Sequence, residues 1–294
     1  MSSPWIFLCP SSRGIGHAFT RHLLRTTSVP ILATARSNPS AVREKLLAGL
    51  DGDSQAATAE RLTVVRLDVT DEATVRAAAE KAAELFPSST HHLRLAFALP
   101  GVLLPPEKST KQVDPAATLE SFRVNAVGPL LLMKWFGDFL PRKAGGDLAS
   151  FSSSASSSSS SGSSGEDDRK SGAGEIELPP RAVWVTMGAR VGSAADNKLG
   201  GWYSYRASKA AAYSLTRTFD RQLQWRSGDK AMAVAYHPGT VRTALSQAYW
   251  DTVEPSKLFE PDDAAEKMAD VVLRRLGPEQ RGRCWDWKGE EVLP

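Results

Sequence analysis

A chain of 294 residues with a formal net charge of +3 can bury one large α/β core, and its Lys and Arg are scattered rather than gathered into a stripe, which argues against a nucleic-acid partner. Cys9 and Cys284 are the only cysteines, so a disulfide framework is excluded and a reducing, cytoplasmic setting is expected. The first apolar run, residues 5–9, lacks a basic leader and the length of a span, so no membrane partner is expected.

In chain order, apolar runs over 5–9, 31–35, 62–67, 93–98, 182–186 and 232–236 read as strands buried on both faces. Between them, helical spacing of apolar residues marks 17–25, 73–85, 119–140, 204–225 and 262–276. This alternation predicts βαβ units, hence a mainly parallel, doubly wound sheet with helices on both faces. With residues 284–287 as a last edge strand, the expectation is one α/β domain over 1–294 with a seven-stranded sheet. The stretch 144–177, dominated by Ser and Gly around Glu166-Asp167-Asp168-Arg169-Lys170, has no apolar periodicity and is expected to be a disordered insertion.

After the first strand comes Cys9-Pro10-Ser11-Ser12-Arg13-Gly14-Ile15-Gly16 and then a helix. Gly14 and Gly16 would let the backbone approach a pyrophosphate at the helix N-terminus, with Ser12, Arg13 and Ile15 around it, although an ordinary strand-to-helix turn has the same pattern. The second strand ends in Arg36, where an NAD-selective site would place an acid for the ribose 2′-hydroxyl. A cation there suits a 2′-phosphate, and Arg13 would supply a second charge, so NADP(H) is the expected cofactor. Either arginine alone would read as a surface residue. Asp68-Val69, after the third strand, falls where such folds contact adenine, and Asp68 reads equally well as the cap of the helix beginning near Asp71.

Farther on, Tyr205 and Lys209 stand four apart and would share one helix face, where an ammonium lowers the pKa of a nearby phenol and prepares it for proton transfer. Carbonyl reduction needs such a donor, because the oxygen gains charge as hydride reaches the carbon. Tyr203, with Ala207 at that spacing, has no such partner.

Through Arg190-Val191-Gly192-Ser193-Ala194-Ala195-Asp196-Asn197 and Gly200-Gly201-Trp202-Tyr203-Ser204-Tyr205-Arg206-Ala207-Ser208-Lys209, the chain resembles the short-chain dehydrogenases/reductases, most of all the sniffer and C-factor-like carbonyl reductases. The resemblance covers nearly the whole length apart from the Ser-rich tract. It implies a Rossmann-type fold, Tyr205 as catalytic acid/base, and Lys209 tuning Tyr205 and holding the nicotinamide ribose. It also implies that Asn125, in Phe122-Arg123-Val124-Asn125-Ala126-Val127-Gly128-Pro129, supports a water-linked proton relay, and that Pro238, Gly239, Val241 and Thr243 lie at the nicotinamide end of the cofactor. A small-molecule carbonyl substrate and a homodimer or homotetramer, built through the helices bearing Asn125 and Tyr205, are implied as well.

Three segments depart from the family pattern. Gly188-Ala189-Arg190-Val191-Gly192 stands in place of Ser-Ser-x-x-Gly, so the catalytic serine is replaced by Ala189, with Thr186 and Ser193 as the neighbouring hydroxyls. Losing one donor to a developing oxyanion costs about 3–4 kcal/mol, so a slow reductase competes with a nucleotide-holding protein that acts as a sensor or through protein partners. Pro10 replaces the first glycine of the loop, and Ala98-Leu99-Pro100-Gly101 replaces Asn-Asn-Ala-Gly, keeping only Gly101. Finally, Leu245, Tyr249, Trp250, Val253, Leu258 and Phe259 suit either a lid over a hydrophobic or aromatic carbonyl substrate, or packing on the core or a second subunit.

Overall fold

The computed structural model describes residues 2–50, 55–143 and 176–294. The expected insertion therefore lies outside the described residues, except for Ile176 and Glu177 at its end. Ile176 is buried in the core, and its N–H donates to the Thr26 carbonyl at 2.6 Å.

The elements run β1 (Ser3–Cys9), α1 (Gly14–Thr26), β2 (Ile31–Ala35), α2 (Pro39–Leu47), α3 (Gln55–Glu60), β3 (Leu62–Arg66), α4 (Glu72–Leu85), β4 (His91–Ala98), α5 (Pro115–Phe122), α6 (Gly128–Phe136), β5 (Ala182–Met187), α7 (Tyr203–Ser227), β6 (Ala231–His237), β7 (Thr240–Val241), β8 (Leu258–Phe259), α8 (Pro261–Ala269), β9 (Cys284–Asp286) and β10 (Glu291–Val292). The main sheet has the order β10-β9-β6-β5-β4-β1-β2-β3. Seven strands are parallel, as expected; an eighth, β10, pairs antiparallel with β9 through Glu291↔Trp285 and Val292↔Cys284 and was missed because two residues carry no periodicity. β7 and β8 form a separate two-stranded ribbon.

Strand order reverses at β1, which pairs with β2 on one side and β4 on the other. In open α/β sheets the crevice outside such a reversal is where ligands bind. Side chains alternate across the sheet. Ile6 and Leu8 face the layer that holds Phe19 of α1 and Met268 of α8, whereas Trp5 and Phe7 face the layer of α4, α6 and α7. There Phe7 stacks on Phe136 with ring centroids 3.9 Å apart.

Four helical regions differ from the sequence reading: α3 has no counterpart there, the helix expected over 262–276 is α-helical only to Ala269 and π-helical over Asp270–Arg275, and the other two are α2 and the stretch 119–140. α2 was not expected, although Asn38 accepts from the Ala41 N–H at 3.2 Å and Pro39 occupies the first turn, the signature of a helix start. The helix expected over 119–140 begins earlier, at Pro115 behind the Asp114 cap, and its α-helical course is broken by a π-helical segment, Arg123–Val127, between α5 and α6. π segments are rare and concentrate at functional sites. Asn125 sits in this one. Among the described residues, no helix is long and apolar enough to cross a membrane.

Candidate active site

β1 delivers the chain to Cys9-Pro10, whose peptide is cis. The Ser11 N–H then donates to the Thr34 carbonyl at 2.8 Å, holding the loop to β2 despite the proline. A Cβ on Gly16 would lie 1.9 Å from the Pro10 carbonyl oxygen, so loop and helix meet only because residue 16 has no side chain. Thr20 Oγ1 donates to the Gly16 carbonyl (2.6 Å) and lies 2.9 Å from Ser11 Oγ. The start of α1 has no side-chain cap and no acid in its first turn, unlike α4 and α5, which are capped by Asp71 and Asp114. Beside the start of α1, Arg13 is exposed and Ser12 half-buried.

Arg36 is exposed at the end of β2. Burial pushes the Asp68 carboxyl up, but hydrogen bonds from the Thr70 N–H (2.9 Å) and hydroxyl (2.7 Å), with the charges of Arg36 and Arg123, bring it below its ordinary value. Asp71, not Asp68, caps α4, which removes the capping reading of Asp68. Val69 packs on the start of α6, where a Cβ on Gly128 would come within 2.9 Å of it. On the far side of the crevice Pro238 and Val241 are buried. Gly239, at φ +76°, is roofed by Phe259 and Trp287, and Thr243 Cγ2 lies 3.1 Å from where a Gly14 Cβ would be. Ile15 packs on the Val241–Phe259 cluster. The segment expected at the nicotinamide end thus abuts the glycine loop.

α7 presents Tyr205 and Lys209 one turn apart, both buried. Lys209 Nζ donates to the Met187 carbonyl at 3.0 Å and lies 3.5 Å from where a Cβ on Gly101 would be. Burial lowers its pKa to about 8. Burial also pushes the Tyr205 phenol up, opposite to the lowering expected from Lys209, because the phenolate would be desolvated. Asn125 Oδ1 accepts from the Val102 N–H (2.8 Å), while Nδ2 donates to the Val102 carbonyl (2.9 Å) and to Ser208 Oγ (3.0 Å). Its side chain, fully buried, ties the π segment to the loop after β4 and to α7, so it braces the site.

Ala189 is buried at the end of β5, where its carbonyl accepts from the Tyr213 hydroxyl at 2.7 Å. A Cβ on Gly188 would fall 2.7 Å from Tyr213 Cε1, so Tyr213 and a serine at 188 exclude one another. Ser193 Oγ accepts from the Asp196 N–H at 3.0 Å, and Thr186, fully buried in β5, has an Oγ1 without a hydrogen-bond partner.

Glu107 was not singled out in the sequence, yet it closes the start of α7. Its carbonyl accepts from the Trp202 N–H (2.6 Å), and its buried carboxylate takes the Ser204 N–H (3.4 Å) and the Ser204 hydroxyl. Thr118 Oγ1 lies 2.8 Å from Ser204 Oγ. Burial pushes the Glu107 carboxyl up, but these hydrogen bonds outweigh it and hold the group ionised. Nothing in the sequence marks Glu107, because its partners lie nearly a hundred residues away. Among the described residues no cluster of His, Cys, Asp or Glu could hold a metal ion.

The fold resembles NADPH-bound carbonyl reductase from chicken fatty liver, with a TM-score of 0.74 at 24% identity over 100% of both chains. It likewise resembles the carbonyl reductase Sniffer of D. melanogaster, with a TM-score of 0.73 at 19% identity, again over 100% of both chains. In sequence, the chain is 35% identical over 112 residues to C-signal of Myxococcus xanthus, an alignment covering 38% of this chain and 60% of that protein. The family model described as short chain dehydrogenase matches residues 5–165, a span that takes in the glycine loop and Asn125 and ends before Tyr205. The chain therefore belongs to the short-chain dehydrogenase family.

Proposed function

We propose that this chain is an NADPH-dependent reductase of small-molecule carbonyl compounds in which Tyr205 is the general acid. The observation that carries this reading is the burial of Tyr205 and Lys209 one turn apart on α7, with Lys209 Nζ and Asn125 Oδ1 both beside Gly101. The crevice fits the cofactor: the uncapped start of α1 and the side-chain-free cradle at Gly16 suit a pyrophosphate, and the exposed Arg13 and Arg36 suit a 2′-phosphate. Ser12, Gly14 and Ile15 would complete that loop, Asp68 and Val69 would lie at the adenine, and Gly101, Pro238, Gly239, Val241 and Thr243 at the nicotinamide end. When bound, NADPH supplies a hydride to the carbonyl carbon. Tyr205, protonated at neutral pH and held further from ionisation by burial, gives its proton to the oxygen as charge develops there. Lys209, protonated below about pH 8, keeps a positive charge at this end of the site, and Asn125 fixes the loop and helix around it.

The test is titration with NADPH and, separately, NADH, followed by carbonyl-dependent NADPH oxidation. Tight NADPH binding, much weaker NADH binding and turnover are expected. Tyr205→Phe should keep NADPH binding and lose about 10²–10⁴-fold in turnover, while Ala189→Ser should gain about 10²–10³-fold. Turnover should decline above about pH 8 as Lys209 loses its proton.

One observation favours a second reading. With Ala189 at the serine position, Ser193 engaged in its own turn and Thr186 in the core, this chain would hold NADP(H) with little chemistry and act as a sensor or through a protein partner. NADPH binding without turnover, even after Ala189→Ser, would select it. Leu119, Val127 and Leu130 stand exposed on the helical run bearing Asn125 and support assembly into a homodimer or homotetramer.

A further inference from the structure

Three consecutive residues before α7 hold left-handed backbone: Gly200, Gly201 and Trp202, with φ of +66°, +65° and +55°. For two glycines this is easy; for a bulky aromatic it is costly and persists only where the surroundings over-determine it. They do so here. The Trp202 N–H donates to the Glu107 carbonyl at 2.6 Å, and Arg206 donates to the carbonyls of Gly201 (3.0 Å), Val191 (3.2 Å) and Gly200 (3.3 Å). The strain fixes where the indole goes. Its centroid lies 6.1 Å from the Tyr205 ring, edge to face at 64°, and 4.9 Å from the Tyr249 ring, tilted by 45°. Tyr249 is carried by the 3₁₀ turn Gln247–Thr252. That turn is anchored by Trp250, whose indole N–H donates to Ser246 Oγ at 2.9 Å beneath the Arg242 guanidinium. Trp202 and Tyr249 are both half-buried, so each keeps part of a ring open.

We propose that Trp202 and Tyr249 form an aromatic clamp beside Tyr205, which selects carbonyl compounds whose carbonyl is attached to a flat aromatic ring over saturated ones of the same size. This rests on the reductase reading, because it takes Tyr205 as the proton donor. A substrate held at Tyr205 would lie within reach of the Trp202 ring, 6.1 Å from the phenol ring, against which Tyr249 packs. Aromatic rings gain from offset or edge-to-face contact beyond the area they bury, and a puckered saturated ring does not.

Acetophenone and cyclohexyl methyl ketone are matched probes, differing in the saturation of the ring. With excess NADPH, kcat/KM of the parent protein should favour acetophenone by about tenfold or more, equivalent to about 1.4 kcal/mol. Trp202→Gly removes the indole and relieves the left-handed backbone, so it should melt no lower than the parent while the ratio falls to about twofold or less. Tyr249→Leu should lower the ratio in the same direction. Parity in the parent, or an unchanged ratio in both variants, overturns the clamp. If neither ketone turns over, the reductase reading has failed, and saturation-transfer NMR of the two ketones on the full chain decides separately. Acetophenone binding that is stronger than that of its saturated partner and is lost in Trp202→Gly upholds the clamp; equal or absent binding rejects it.

Discussion

The starts of α1 and α7 are built from similar material and finished in opposite ways. Each helix has two glycines at its start, Gly14 and Gly16 within the first turn of α1 and Gly200 and Gly201 just before α7, yet the first turn of α1 is left without a cap or an acid, whereas α7 begins on the buried carboxylate of Glu107. An N-terminus closed by the protein's own anion is stable and cannot serve an external one; an open one forgoes that stability and stays available. The contrast separates the two tasks of the crevice. In the proposed function the open start receives a phosphate group, and the closed start fixes where Tyr205 stands.

The largest break in this contrast should come from Gly16→Val. With 1.9 Å between a Cβ there and the Pro10 carbonyl oxygen, the start of α1 must move, lowering stability by about 2–3 kcal/mol and abolishing NADPH binding, read by urea unfolding and fluorescence titration. Next, Glu107→Ala should cost about 1–2 kcal/mol by unpairing the first turn of α7 and should reduce kcat more than it alters NADPH affinity. An NADPH Kd that rises as much as kcat falls would show that the two starts are not independent. The smallest effect sharpens the comparison by making α1 resemble α7: Arg13→Asp should raise the melting midpoint, by about 1 kcal/mol of capping, while weakening NADPH binding. Unchanged affinity would mean that the open start is not where the cofactor's charge sits.

Much of the framework is legible in the sequence because it rests on local pattern. Buried strands such as β1 and β2 are continuous apolar runs, and α4 and α7 carry long helical spacing, so their places in a parallel sheet follow. α2 is short and weakly amphipathic and was lost, although Asn38-Pro39 announces it. Tyr205 and Lys209 were legible from a spacing, and the structure puts both on the buried side of α7 with Lys209 Nζ beside Gly101. What spacing does not carry is sign and partner. The Tyr205 phenol is raised because desolvation depends on the whole surrounding packing. Glu107, Ser208 and Trp202 matter through contacts with chain segments remote in sequence or through one backbone angle, neither of which has a local signature.

The π segment at Arg123–Val127 has a consequence for how this chain tolerates change. One turn there holds an extra residue relative to an α-helix, so α5 and α6 lean on different neighbours, α5 on α7 and α6 on α4. Removing any single residue between 123 and 127, whatever its chemistry, would rewind the helix and rotate everything after it by about 100°. Asn125 would then be swung away from Val102 and Ser208. Its position is therefore secured by a residue count, and this stretch should admit substitutions more readily than deletions.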